Sequence, residues 1–183
     1  MGGLTSIRLV PVIDGALQNP SRLDRLSRSL AHVLRVSCEV DPEPLLASFA
    51  WDVRRRQYHS SAIVAKLAER SAAQDERFLG VTPLDLFVPV LTFVFGEAQL
   101  GGPAALVSWK RLDNSFYGLP DQPDLLEERL LKESLHEIGH ALGLRHCDDT
   151  LCAMASTHSV ELLDEKDSEY CADCHANLQR RQA

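Results

Sequence analysis

Residues 136 to 154 begin His136-Glu137-Ile138-Gly139-His140-Ala141-Leu142-Gly143-Leu144-Arg145-His146-Cys147 and end Cys152-Ala153-Met154. No other stretch restricts the chain as much. An α-helix turns about 100° per residue, so His136 and His140 stand on one face, one turn apart, and can share one metal ion. Glu137 lies beside that face. Its carboxylate is too close to its own backbone to replace a histidine, but it reaches a water in the ion's open position and suits a general base. A third ligand requires the helix to stop, because on a straight continuation His146 would lie about 15 Å from His136 along the axis. Gly143 supplies the stop: without a Cβ it can turn left-handed and bring His146 back toward the ion. The helix itself is predicted over about 122–143. Asp121, Pro123 and Asp124 mark its start, and Leu126, Leu130, Leu135, Ile138 and Leu142 follow at helical spacing. A core helix that merely carries surface histidines is the alternative, and it explains the buried-looking flanks of the motif less well.

Four of the five cysteines form a second constellation. Cys147 and Cys152 follow His146, and Cys171-Ala172-Asp173-Cys174 has the C-x-x-C spacing that wraps two thiolates around one ion. Together they read as a closed four-cysteine zinc site of structural character, tying the C-terminal segment to the end of the helix. Two disulfides are the competing reading, disfavoured because no secretion signal is seen; His158 or His175 could also replace a thiolate as ligand. Cys38 stands alone and reads as a buried or partly buried free thiol.

His136-Glu137-x-x-His140-x-x-Gly143-x-x-His146 followed by Met154 resembles the metzincin clan of zinc peptidases, in which a methionine turn lies under a three-histidine site. Cys147-x-x-x-x-Cys152-x-Met154 and Cys171-x-x-Cys174, with Phe95-Gly96-Glu97-Ala98 and Phe116-Tyr117-Gly118-Leu119-Pro120, make the resemblance one to the archaemetzincins, over about residues 80–178. It implies a metzincin-type zincin fold with a small mixed twisted sheet, a long active-site helix and a short C-terminal subdomain. It also implies zinc on His136, His140 and His146, Glu137 as base, Met154 beneath the site, and a second zinc on the four cysteines, two ions per chain. Ser156 occupies the position where some metzincins carry a zinc-touching tyrosine, so three protein ligands are expected.

The rest of the chain bounds this reading. At 183 residues and 45% hydrophobic it is one domain's worth, divided at about 143 into an N-terminal and a C-terminal subdomain. A net charge of -7 without a dense basic patch argues against nucleic acid and anionic membrane as partners. No apolar run reaches the ~18 residues of a membrane span, and Met1 to Ser6 matches the N-myristoylation pattern only loosely. The expectation is a cytoplasmic monomer.

Patterning gives an α+β (α/β-like) chain with few strands. Ile7–Ile13 reads as a strand, Pro20 to Val36 as a helix, 45–50 as a strand, and Ser60 or Ser61 as the cap of a helix reaching about Ala72. Arg54-Arg55-Arg56 reads as a solvated run. Phe78–Val81 and Leu86–Phe95 read as buried strands, the run around Pro89 being core, and Gly96–Gly102 as a turn. Residues 104–109 are expected to form the sheet edge, with Ala104, Leu106, Ser108 and Tyr117 touching a peptide or protein substrate added as a further strand. Tyr117, Tyr170 and His158 are candidates to steady a developing oxyanion. Two functions remain: a metallopeptidase, with endopeptidase and aminopeptidase action both open and Glu97 a weak candidate for holding a free amine, or a silent zinc-stabilised peptide-binding module.

Overall fold

Ile7 to Ile13 is almost continuously apolar, the pattern of a strand covered on both faces. It forms β1 (Ser6–Ile13), followed in chain order by α1 (Pro20–Leu34), β2 (Ser37–Val40), β3 (Leu45–Leu46), β4 (Trp51–Asp52), β5 (Gln57–His59) and α2 (Ser60–Ala68). Then come β6 (Glu76–Thr82), β7 (Leu86–Phe87), β8 (Gly96–Ala98), β9 (Ala104–Ser108), α3 (Pro123–Ala141), α4 (Val160–Glu165) and α5 (Ala172–Gln182). The computed structural model describes residues 4–16, 19–70 and 75–182. The Met1-Gly2 end of the lipidation match and the expected stretch of helix from 71 to 72 lie outside these residues. Among the described residues no helix is long and apolar enough to cross a membrane.

The main sheet has the order β2-β1-β6-β9-β8, with β3 paired to the end of β1. β1, β2, β6 and β9 run parallel, and β8 runs antiparallel to β9. Helices cover both faces. Ile7, Leu9, Ala105 and Val107 pack with Leu23, Leu26 and Leu30 of α1 and Leu130, Leu135 and Ile138 of α3. Val10, Val12, Ala104 and Leu106 face the other way, onto Ile63, Val64 and Leu67 of α2. The fold is thus a mixed α/β one with a small mixed sheet, as expected. β4, β5 and β7 form a separate small sheet beside it.

Several local expectations are corrected. β9 is not the sheet edge: it lies between β6 and β8, and β8 is the edge. Residues 96–98, expected in a turn, supply that edge strand. The run around Pro89 is not core, since Val90 is 89% and Leu91 52% exposed; Pro89 cannot donate to a ladder, and only Leu86–Phe87 pairs as β7. β2 was hidden by its brevity and half-exposed residues, and the strand expected at 45–50 is two residues long before a 3-10 turn. Neither Ser60 nor Ser61 caps α2. Both hydroxyls donate instead to the Glu97 carboxylate, and Ser60 also reaches the Phe87 carbonyl. α3 starts one residue after Gln122, with Pro123 in its first turn and no side-chain cap from Asp121.

Candidate metal centre

α3 ends by a double hydrogen-bond closure. Leu144 N–H donates to the Gly139 carbonyl at 2.9 Å and Gly143 N–H to the His140 carbonyl at 2.8 Å. Gly143 has φ +91°, a backbone in which a Cβ would be strained. The chain reverses there, and His146 returns to the helix. The rings of His136, His140 and His146 lie 4.6–5.3 Å apart by centroid, and one nitrogen from each falls within 4.8 Å of the others. Main-chain carbonyls hold the opposite nitrogens: His136 Nδ1 donates to the Ala153 carbonyl and His140 Nδ1 to the Leu144 carbonyl, each at 2.8 Å. These bonds fix the tautomer, so the Nε2 lone pairs point to a shared centre. The His136 and His140 Nε2 atoms are 3.1 Å apart, close to the ~3.3 Å edge of a tetrahedron with metal–nitrogen bonds of about 2.0–2.1 Å. Burial pushes His136 down to about 3 and lowers His140, which keeps both imidazoles neutral and able to ligate.

Met154 lies directly under this face. A Cβ added at Gly139 would overlap the Met154 sulfur, so the glycine between the two helical histidines is what lets the methionine turn close on α3.

Glu137 is buried on the flank of the histidines and meets two neighbours that the sequence reading did not foresee. One is Glu133, a turn earlier on α3, a buried carboxyl whose charge acts on that of Glu137. The other is Gly96 of β8, where a Cβ would run into the Glu137 side chain. Burial, then the nearby charges of Glu133 and Glu97, raise the Glu137 carboxyl well above its ordinary range; burial raises Glu133 to about 7. A divalent cation on the histidines is the charge that would return Glu137 to the carboxylate a base requires. Lys166, 3% exposed, is the local cation. It donates at 3.2 Å to the same Ala153 carbonyl that holds His136, and its charge lowers the pKa of both glutamates. Spacing offered one signal for Glu133, a second carboxylate four residues before Glu137 on the apolar, motif-bearing half of the helix. It offered none for Lys166, which arrives from the C-terminal segment.

The histidines and Glu137 open into a cleft of about 450 Å³, walled on one side by residues 91–96 and on the other by Ser156, Thr157 and His158. The 91–96 wall is pinned from behind. Arg55 donates to the Leu91 and Pro89 carbonyls, Gln57 to the Thr92 carbonyl, and Val94 N–H to the Leu86 carbonyl. Arg111 pairs with Asp85 in two hydrogen bonds and lies over the Phe93 ring. Arg55, expected in solvent, therefore supports the wall.

The structure separates the expected substrate contacts from this cleft. Ala104, Leu106 and Ser108 are buried in β9, Ala104 and Leu106 packing on the α2 side of the sheet, away from α3. Tyr117 is on an exposed 3-10 turn, its hydroxyl donating to the Arg111 carbonyl, and it does not line the cleft. Tyr170 is buried behind α3, donating to the Leu135 carbonyl. Of the three oxyanion candidates, His158 alone faces the site. Glu97 turns its carboxylate to Ser60 and Ser61 on α2.

One residue beyond His146 the second cluster begins. The sulfurs of Cys147, Cys152, Cys171 and Cys174 all lie within 4.8 Å of one another. Cys147–Cys171 and Cys152–Cys174 are 3.7 and 3.8 Å apart, far beyond a disulfide bond of about 2.05 Å and matching the ~3.8 Å edge of a tetrahedral zinc–thiolate site. Met154 N–H and Cys171 N–H both donate to the Cys152 sulfur, as a thiolate requires. All five cysteines are free, and burial pushes the lone Cys38 thiol up to about 11. Neither His158 nor His175 is needed to complete the set.

Comparison with known proteins agrees with this geometry. Residues 42–180 match the family described as Peptidase family M54. The chain is 42% identical over 144 residues to the archaemetzincin of Methanocaldococcus jannaschii, covering 79% of this chain and 78% of that one. Among solved structures it resembles a zinc-dependent peptidase from Methanocorpusculum labreanum, with TM-score 0.83, 30% identity, and coverage of 94% and 99% of the two chains. It also resembles the archaemetzincin of Archaeoglobus fulgidus complexed with malonate, with TM-score 0.79, 32% identity and coverage of 94% and 99%. The chain belongs to the archaemetzincins, the M54 family of zinc-dependent metallopeptidases.

Proposed function

We propose that this chain hydrolyses peptide bonds with Glu137 as general base, a catalytic zinc held by His136, His140 and His146, and a structural zinc held by Cys147, Cys152, Cys171 and Cys174. The observation that carries the reading is the placement of the Glu137 carboxyl in one cleft with three converging imidazoles and against a sheet edge. Zinc in the histidine set supplies a Lewis acid that polarises a carbonyl and acidifies a water. The protein's own groups do the rest. Glu137 takes a proton from the attacking water and hands it to the departing amine. His158, on the opposite wall, donates a hydrogen bond to the oxyanion. Gly143 and Met154 hold the ligand geometry from below and beyond.

The substrate strand belongs on β8 rather than on β9. Phe95 and Gln99 turn their main-chain groups to β9, through Ser108 N–H to Phe95 carbonyl and Gln99 N–H to Ala104 carbonyl. By the alternation of an antiparallel ladder Glu97 does the same, leaving Gly96 and Ala98 to offer theirs outward. A peptide bonded there passes beside Glu137, because Gly96 has no side chain to keep it away. Among the described residues, the acidic groups of the cleft, Glu133 and Glu137, are buried, and Glu97 is held by Ser60 and Ser61, so none of these is free to hold a substrate's amino terminus and internal bonds are the expected targets. Four free thiols gathered at the second site are kept reduced most readily in a reducing compartment, which supports a cytoplasmic location.

The test is a cleavage-site profile on a mixed peptide library, comparing wild type with Glu137→Ala. Internal cleavage lost in the variant supports the assignment. Release of N-terminal residues alone would replace it with an aminopeptidase, and identical behaviour of both proteins would make the chain a binding module.

A further inference from the structure

Large exposed apolar side chains gather on one side of the cleft. Leu46, Phe49, Trp51 and Val53 lie along the strand-and-turn segment that leads into β4 and out of it, at 60, 54, 44 and 75% exposure. Phe49 and Trp51 line a groove of about 490 Å³ with Phe87 and Pro89. Val90 and Leu91 continue from Pro89, and Leu91 is itself on the cleft wall. Arg55 ties the two together, stacking over Phe87 in the groove while donating to the Leu91 carbonyl. Groove and cleft are therefore the two sides of one rigid ridge.

The chain beside the groove is locally basic. The chain carries a net charge of -7, yet three consecutive exposed arginines, Arg54 to Arg56, follow Val53 in the chain, and Arg55 lines the groove together with Asp52 and His59. Arg55 is engaged with the ridge. Arg54 and Arg56 are exposed and have no ion-pair partner among the described residues. The acidic side chain beside them, Asp52, accepts from the main-chain N–H groups of Arg54 and Arg55, and their charges lower its pKa further. Arg56 holds φ +56°, a left-handed backbone that an arginine adopts at some expense where glycine would sit without strain. A mixed groove with Phe49, Trp51, Phe87 and Pro89 on its walls, where Arg54, Arg55 and Arg56 outnumber the single carboxylate of Asp52, suits an apolar or aromatic side chain flanked by carboxylates.

Resting on the peptidase reading, we propose that this groove is a second station for the substrate, engaging an acidic segment with an apolar or aromatic anchor several residues from the bond that lies in the cleft. The ridge of Val90 and Leu91 is the path between the two. An enzyme with such a station prefers extended, acidic polypeptides to short peptides, because the second contact is made at the effective concentration that the intervening residues impose.

Two fluorogenic peptides test this: one carrying only a sequence cleaved by the wild type, the other extended by a flexible spacer and Asp-Glu-Phe-Glu on either side in turn. The extension is expected to lower KM by about tenfold or more on one side, with kcat unchanged. In an Arg54→Ser, Arg56→Gly variant, which relieves the turn rather than straining it, that gain should vanish while the short peptide is cleaved as before. Equal KM for short and extended peptides in the wild type, or a gain that survives in the variant, overturns the proposal. Binding of the extended peptide to the Glu137→Ala protein, followed by Trp51 fluorescence, decides the matter apart from turnover. Saturable binding lost in the double variant and weakened by salt supports the station even if no peptide is hydrolysed; no binding overturns it.

Discussion

The histidine and cysteine clusters are joined by a single peptide bond, between His146 and Cys147, and are built to opposite ends. The histidine set has three donors, faces a cleft, and keeps a buried carboxyl at its flank. The cysteine set has four donors, with Cys152 and Cys174 buried and main-chain N–H groups turned onto a sulfur. Ligand number alone sets the first difference, since a tetrahedral ion with four protein ligands has no position left for water. The second difference lies in what neutralises the site. Thiolates bring their own charge, whereas neutral imidazoles leave the ion's charge free to act on Glu137. The lesson is that openness and electrostatics are set together, within one short run of chain.

Removing a cysteine is expected to have the largest effect. Cys174→Ser should lose one zinc per chain by metal analysis and lower the melting temperature sharply, since structural zinc contributes on the order of 10 kcal/mol in small domains. It should also weaken the histidine-bound zinc against a chelator, because the cysteine loop carries the Ala153 carbonyl that orients His136. A catalytic zinc held as tightly as in wild type would separate the two clusters and break the comparison.

Glu137→Ala should act on the other side alone. Turnover is expected to fall by about 10²–10⁴-fold, the usual contribution of a general base, while both zinc ions remain bound. Residual turnover near wild type would remove the assigned role.

Gly139→Ala is the smaller structural probe. Its methyl would press on the Met154 sulfur, and overpacking of this kind costs about 1–3 kcal/mol, read as a lower urea midpoint with an unchanged slope. An unchanged midpoint would show that the methionine turn yields freely and does not brace the helix.

Glu133→Gln tests the buried carboxyl pair through pH. Burial raises Glu133 from 4.5 to about 7. Between those values the unfolded chain has released its proton and the folded chain has kept it, so this group makes the fold less stable as pH rises from about 4.5 to about 7. The variant should lose that decline, and the difference between the two proteins' stability across the window is the readout. Identical pH dependence would mean that Lys166 holds Glu133 ionised throughout.

Much of this contrast was legible in the chain. The spacing of His136, His140, Gly143 and His146 defines a helix, its end and a return, and all three occur, because ligand geometry and helix termination are local properties. The same holds for Cys171-x-x-Cys174. Strand order was not legible: β9 looked like an edge because it precedes α3, but Gly96–Ala98 comes back to pair with it, and three residues beginning with glycine give no periodic signal. The run from Leu86 to Phe95 departs from its pattern for a related reason. A long apolar run implies burial on average, yet here part of it, Val90 and Leu91, stays exposed as a ridge. Lys166 and the Ala153 carbonyl belong to tertiary convergence, which no local pattern encodes.

The Ala153 carbonyl accepts from both His136 and Lys166 and lies between Cys152 and Met154. Until the cysteines are gathered, that acceptor has no reason to be under α3, and His136 is free to present either nitrogen. Gathering the four cysteines and orienting the His136 ring are therefore one event in folding, joined through a single carbonyl oxygen.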